Sequence, residues 1–151
     1  MEPGTTAVGP YQLRLPAFWR STSVREKPPL FASSSVVSPG VSFDFSVLVG
    51  LGADTAEEER ALAAILDAHG GRTTAIEEQY HGMEIRGHRM VDLPELGPGS
   101  VRELMTLRAY GDLLIFGYIL SSAAEEESWR MLFLTLVEGA VVDRGYALNP
   151  G

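Results

Sequence analysis

The clearest alternation of apolar and polar residues starts at Val41. Val41, Phe43, Phe45, Val47 and Val49 fall on one side of an extended chain, and Ser42, Asp44, Ser46, Leu48 and Gly50 on the other. A period of two predicts a strand with one buried face. Gly50 and Gly52 break the run, and Asp54 with Glu57, or Thr55 with Glu58, then forms a capping box ahead of Leu62, Ile65 and Leu66. That spacing predicts a helix reaching about Ala68, stopped by Gly70 and Gly71. A shorter alternation, Tyr11, Leu13 and Leu15 against Gln12 and Arg14, predicts a strand ended by Pro16. The first ten residues read as a loose tail, and the serine-rich stretch 20–40 as irregular loop with one edge segment around Phe31.

Arg72–Tyr80 and Met83–Leu93 read as two strands around His81-Gly82, and Val101–Tyr110 and Leu113–Ser121 as two more around Gly111-Asp112. In the first arm of the second pair, Leu104 and Thr106 share a face with Arg108, and Met105, Leu107 and Ala109 form the other. Neither face is fully polar, so the strand is expected to be covered on both sides or to offer an apolar face to a partner. Trp129, Leu132, Phe133, Leu136, Val137 and Ala140 recur at three and four, which predicts a closing helix capped by Ser128 or by Glu125–Glu127. Trp129 and Phe133 are read as core, since an apolar stripe is what a helix needs to dock on a sheet. The expected fold class is α+β: a curved antiparallel β-sheet of about six strands with two main α-helices packed on it. It is expected as a single domain over 11–143, with tails at 1–10 and 144–151.

Length and charge narrow the function classes. At 151 residues the chain suits one domain, which buries roughly 70% of its unfolded surface. Hydrophobic residues make up 45%, and the mean hydropathy is +0.05. Twenty acidic against twelve basic residues give a net charge of −8, which opposes binding to nucleic acid or to an anionic membrane surface. There is no cysteine, which removes thiolate metal sites and cysteine nucleophiles. No apolar run approaches the roughly 18–20 residues of a membrane span, and Met1–Pro10 lacks the apolar core of a signal peptide. A cytoplasmic protein without direct membrane insertion is therefore expected.

A search for chemistry finds no strong motif. None of His69, His81 and His88 has zincin spacing, and a strand places Glu77 and Glu78 near His81 on opposite faces. Gly50-Leu51-Gly52 precedes a helix but lacks the lysine of a phosphate loop, and Asp54 would repel a phosphate there. The serines near Ser34 have no nucleophile elbow around them. The acidic runs Glu57–Glu59 and Glu125–Glu127 read as helix-terminus electrostatics. No enzyme activity, cofactor or metal is expected.

The order of elements, with Leu15-Pro16-Ala17-Phe18-Trp19 following the strand from Tyr11, resembles the "LP-x-x-W" opening of the PsbP/DcrB-like superfamily of small α+β domains. The resemblance runs from Tyr11 to about Val142 and includes the Gly82 turn, the Gly111-Asp112 hairpin and the closing helix with its early tryptophan; the serine-rich loop departs from it. Leaderless members look like the Eag-type chaperones of type VI secretion, and secreted ones like the envelope lipoproteins LpqN and DcrB. The resemblance implies a non-enzymatic adaptor or chaperone that shields an apolar helical segment of a secreted effector or assembling partner on its sheet, with a homodimer as one possible arrangement. The alternative is a structural or assembly subunit of a secretion or injection machine, or an envelope protein. The expected partner-binding residues are Phe43, Phe45, Val47, Met105, Leu107, Ile115 and Tyr118.

Overall fold

The structure, a computed structural model, describes residues 4–16, 19–53, 56, 59–60, 63 and 73–148. Among the described residues nine strands precede a long helix. They are β1 (Gly4–Val8), β2 (Tyr11–Leu15), β3 (Arg20–Lys27), β4 (Leu30–Ser38), β5 (Val41–Leu48), β6 (Thr73–Tyr80), β7 (Met83–Val91), β8 (Val101–Ala109) and β9 (Asp112–Leu120). A 3-10 turn, Ala123–Glu125, leads into α1 (Glu126–Leu148). Strands β3 to β9 form one antiparallel sheet in the order β3-β4-β5-β9-β8-β7-β6, while β1 and β2 make a separate hairpin. Two meanders, β3-β4-β5 and β6-β7-β8-β9, thus meet where β5 pairs β9 from Val41↔Leu120 to Leu48↔Leu113.

Several expectations change. The sheet has seven strands, not about six, and among the described residues there is one delimited helix, not two. The helix expected over 54–68 lies mostly outside the described residues. Part of the expected tail, Gly4–Val8, pairs along its length with β2, and α1 continues through residue 144 to Leu148. Stretch 20–40 forms β3 and β4, joined by the turn at Pro28-Pro29. Serine is a poor strand former alone, but Ser33 and Ser35 are buried opposite Phe45 and Phe43. Their small side chains leave room for the β1–β2 hairpin, whose Gly9 lies against the Phe31 ring. The 3-10 turn that leads into α1 is capped by Ser122, whose hydroxyl accepts from the Ala124 N–H at 3.3 Å; Ser128 lies inside α1, whose first turn carries Glu126 and Glu127 of the expected acidic run.

One face of the sheet carries the main core. Register places Phe43 beside Tyr118, Phe45 beside Phe116 and Val47 beside Leu114, and on the far side of β9 it sets Met105 beside Phe116 and Leu107 beside Leu114. Phe133, Leu134, Val137 and Ala140 of α1 cover this face together with Val8, Tyr11, Leu13 and Leu15 of the hairpin. Phe133 lies at the centre of a ring cluster: its centroid is 4.7 Å from Phe43, 5.0 Å from Tyr118, 5.6 Å from Trp19 and 5.9 Å from Trp129. Pairs of this kind contribute about 0.5–1.5 kcal/mol each beyond area burial. Met90, Leu93 and Leu104 form a smaller cluster with partly buried Ile115 and Ile119.

A buried carboxylate ties the hairpin to the sheet. The Tyr11 hydroxyl donates to Asp112 Oδ2 at 2.8 Å, with the Ala109 carbonyl at 3.1 Å as a second acceptor sharing the same proton, and the Gly50 N–H donates to Asp112 Oδ1 at 2.8 Å. Burial, then the Asp112 hydrogen bond, pushes the Tyr11 hydroxyl well above its ordinary pKa and keeps it a donor. The β8–β9 turn is centred on Tyr110 and Gly111, one residue earlier than expected, with φ of +53° and +77°. Positive φ at both positions suits the right-handed twist of a two-residue hairpin.

Candidate interaction surface

Six of the seven residues expected to meet a partner, Phe43, Phe45, Val47, Met105, Leu107 and Tyr118, are buried beneath α1 and the hairpin. They come together as core, and in this conformation a partner could reach them only by displacing the helix. Ile115 sits apart, pairing with Ser46 and Thr106 on the opposite face. There it borders a trough of about 220 Å³ with Ser34, Asp44, Ser46, Arg102 and Leu104 over Gly117. Four concavities lined by described residues hold about 100 to 280 Å³, below the roughly 300–1,000 Å³ of small-molecule sites.

Of the polar residues weighed as chemistry, Glu78 and His81 have structural partners, His88 Nδ1 is buried without one, and His69 lies outside the described residues. Glu78 meets Arg130 at 2.6 Å, His81 pairs with Glu138, and Glu77 points away from both on the other face of β6. The Gly52 N–H donates to the Gly111 carbonyl at 2.9 Å, so with Gly50 bound to Asp112 neither amide is presented to an anion. Among the described residues no three of His, Asp and Glu gather as a metal-binding group.

A charged seam missed by sequence reasoning runs between α1 and the sheet. Glu103 of β8 lies between Tyr118 of β9 and Arg89 of β7, and is only 2% exposed. Its Oε1 accepts from Arg130 Nε at 3.0 Å, while Oε2 is buried without a partner, as is the Tyr118 hydroxyl. Arg89 makes two bonds of 2.6 Å to Glu126. Burial pushes the Glu103 carboxyl up to about 7; Arg130 works against the shift and Glu126 adds to it. A glutamate on the strand face it shares with Val101, Met105 and Leu107 was the available signal, but its cation is 27 residues away in sequence.

Exposed large apolar side chains are scattered over the described residues, Val24, Val36, Leu96 and Tyr110 among them, but three of them line up on the outer side of α1. Met131 is 47% exposed, Val142 47% and Tyr146 70%. They lie at i, i+11 and i+15, which is one face of a helix, opposite the row that docks on the sheet.

The fold has a solved counterpart. The solution structure of the cyanobacterial PsbP of Synechocystis superimposes with a TM-score of 0.52 at 15% identity, over 86% of this chain and 85% of that one. The fold is PsbP-like. PA94 of Pseudomonas aeruginosa, a protein of unknown function, is a looser likeness at a TM-score of 0.42 and 16% identity, over 90% of this chain and 96% of that one. No family model and no curated protein matches the chain. In this PsbP-like chain, no helix among the described residues is long and apolar enough to cross a membrane.

Proposed function

We propose that the chain is a non-enzymatic, cytoplasmic adaptor or chaperone that shields an apolar segment of another protein. The observation that carries this reading is the exposed row Met131, Val142 and Tyr146 on α1, left to solvent although the helix already fills the core with its other side. A surface helix needs only one apolar side, so a second one favours a partner. The contact surface is therefore moved from the sheet residues expected from sequence to the outside of α1. The resemblance to Eag-type chaperones makes a secreted effector the first partner to seek. Affinity capture from the native cell, run in parallel with a Val142→Glu chain, tests the reading. A protein with an apolar helical segment should be retained by the native chain and lost from the variant; recovery of the same proteins on both would sink it.

A second reading, an assembly subunit, is favoured by β3 and β6, two eight-residue strands at the edges of the sheet. Edge backbone can pair with another chain. Rings or filaments in size-exclusion chromatography would support it, and a sharp monomer peak would remove it.

A further inference from the structure

We propose that the outer face of α1 docks a helix of another protein whose apolar stripe is bracketed by lysines or arginines; this rests on the protein-binding reading above and names the partner's chemistry.

The surface has the form of a helix seat. Met131, Thr135, Gly139, Val142 and Tyr146 are all exposed and follow one another along one face of α1 for about four turns, some 22 Å. None carries a charge. Thr135 and Gly139 make a low point between the larger Met131 and Tyr146, and a Cβ built at Gly139 meets nothing within 4 Å. Such a saddle lets a second helix approach closely as it crosses, the ridge-into-groove contact made by rows of residues four apart.

Electrostatics chooses the occupant. Glu125 and Glu127 are exposed at the start of the helix, and its last turn carries no basic residue to offset the partial negative charge of the terminal carbonyls. The two arginines of α1 are turned inward, Arg130 to Glu78 and Glu103, and Arg144 over the Tyr11 ring. Glu138 and Asp143 border the stripe, Glu138 paired with His81 and Asp143 with Arg14 of this chain. The seat is thus apolar along its middle and negative at both ends, on a chain of net charge −8. A second copy would bring acid to acid in a parallel pair, and acid to carbonyl ends in an antiparallel one. A helix with cations beside its apolar stripe relieves both, gaining association rate and selectivity from the charges and affinity from the buried stripe.

The test is fluorescence anisotropy of the full chain with labelled designed helices of about 18 residues. One has a leucine stripe flanked by lysine, one the same stripe flanked by glutamate, and one the lysines with the stripe scrambled. The first should bind at least about ten-fold more tightly than either of the others, with the lysine advantage shrinking at high salt. Val142→Glu should weaken it by about ten-fold or more although it adds negative charge to the face, and Tyr146→Ser should do so less; circular dichroism confirms that both variants fold. Equal binding of lysine- and glutamate-flanked helices overturns the basic-partner inference while leaving the adaptor reading intact. Equal binding of the scrambled helix, or binding unaffected by Val142→Glu, overturns the seat itself. A homodimer that Val142→Glu dissociates would identify the occupant as a second copy and overturn the proposal likewise.

Discussion

Replacing Glu103 by glutamine probes the seam on which α1 rests. The carboxyl is 2% exposed, holds Arg130 through Oε1 at 3.0 Å and leaves Oε2 buried without a partner. Burial raises its pKa from 4.5 to about 7. The folded state therefore binds this proton more tightly than the unfolded chain, so the group favours folding most below about pH 4.5 and that contribution is lost as pH rises through about 7. A difference of 2.5 units (7 minus 4.5) at about 1.36 kcal/mol each is about 3 kcal/mol across that window. Glutamine keeps the shape and the acceptor for Arg130, removes the charge and offers an N–H where Oε2 had no partner; Arg130 retains Glu78 at 2.6 Å. Urea unfolding followed by tryptophan fluorescence, with Trp19 and Trp129 beside Phe133, gives stability at pH 5, 6, 7 and 8. The native chain should lose stability from pH 5 to 8, and Glu103→Gln should be flatter and more stable at pH 8 by about 1–3 kcal/mol. A native profile that is flat or rises with pH, or a variant weaker than the native chain at pH 8, would refute the reasoning.

Three further outcomes are expected. Tyr11→Phe removes the donor that joins the hairpin to Asp112 and should destabilise the fold by about 1–3 kcal/mol in chemical denaturation; a loss too small to measure would show that the lock is not needed. Gly87→Ala places a Cβ against the Leu104 carbonyl and the backbone of Met105, so a fall of at least about 2 kcal/mol or failure to fold should follow. Gly139→Ala enters open space inside α1 and should instead raise stability by about 0.5–1 kcal/mol in thermal unfolding.

Strand β5 and the closing helix are legible in the chain from their strong period, and the β6–β7 and β8–β9 pairs, whose alternation is weaker, from a turn residue able to take positive φ. Gly82, for example, has φ +84°. Strands β1 and β3, and β4 beyond the segment expected around Phe31, are not, because their stability comes from neighbours: Ser33 and Ser35 are strand residues once Phe45 and Phe43 lie beside them and the hairpin needs their small volume. The candidate site divides the same way. Alternation shows that Phe43, Phe45 and Val47 share a face, but the packing of Phe133 and the hairpin over that face decides that they are core. The outer row of α1 is periodic in sequence too, yet a helix with apolar residues on two sides does not say which side will be buried. What sequence alone determined is therefore the local alternation, the turns and the excess of acid. Tertiary structure decided which apolar side of α1 the sheet covers and which it leaves to solvent, because burial belongs to pairs of surfaces brought together from distant parts of the chain.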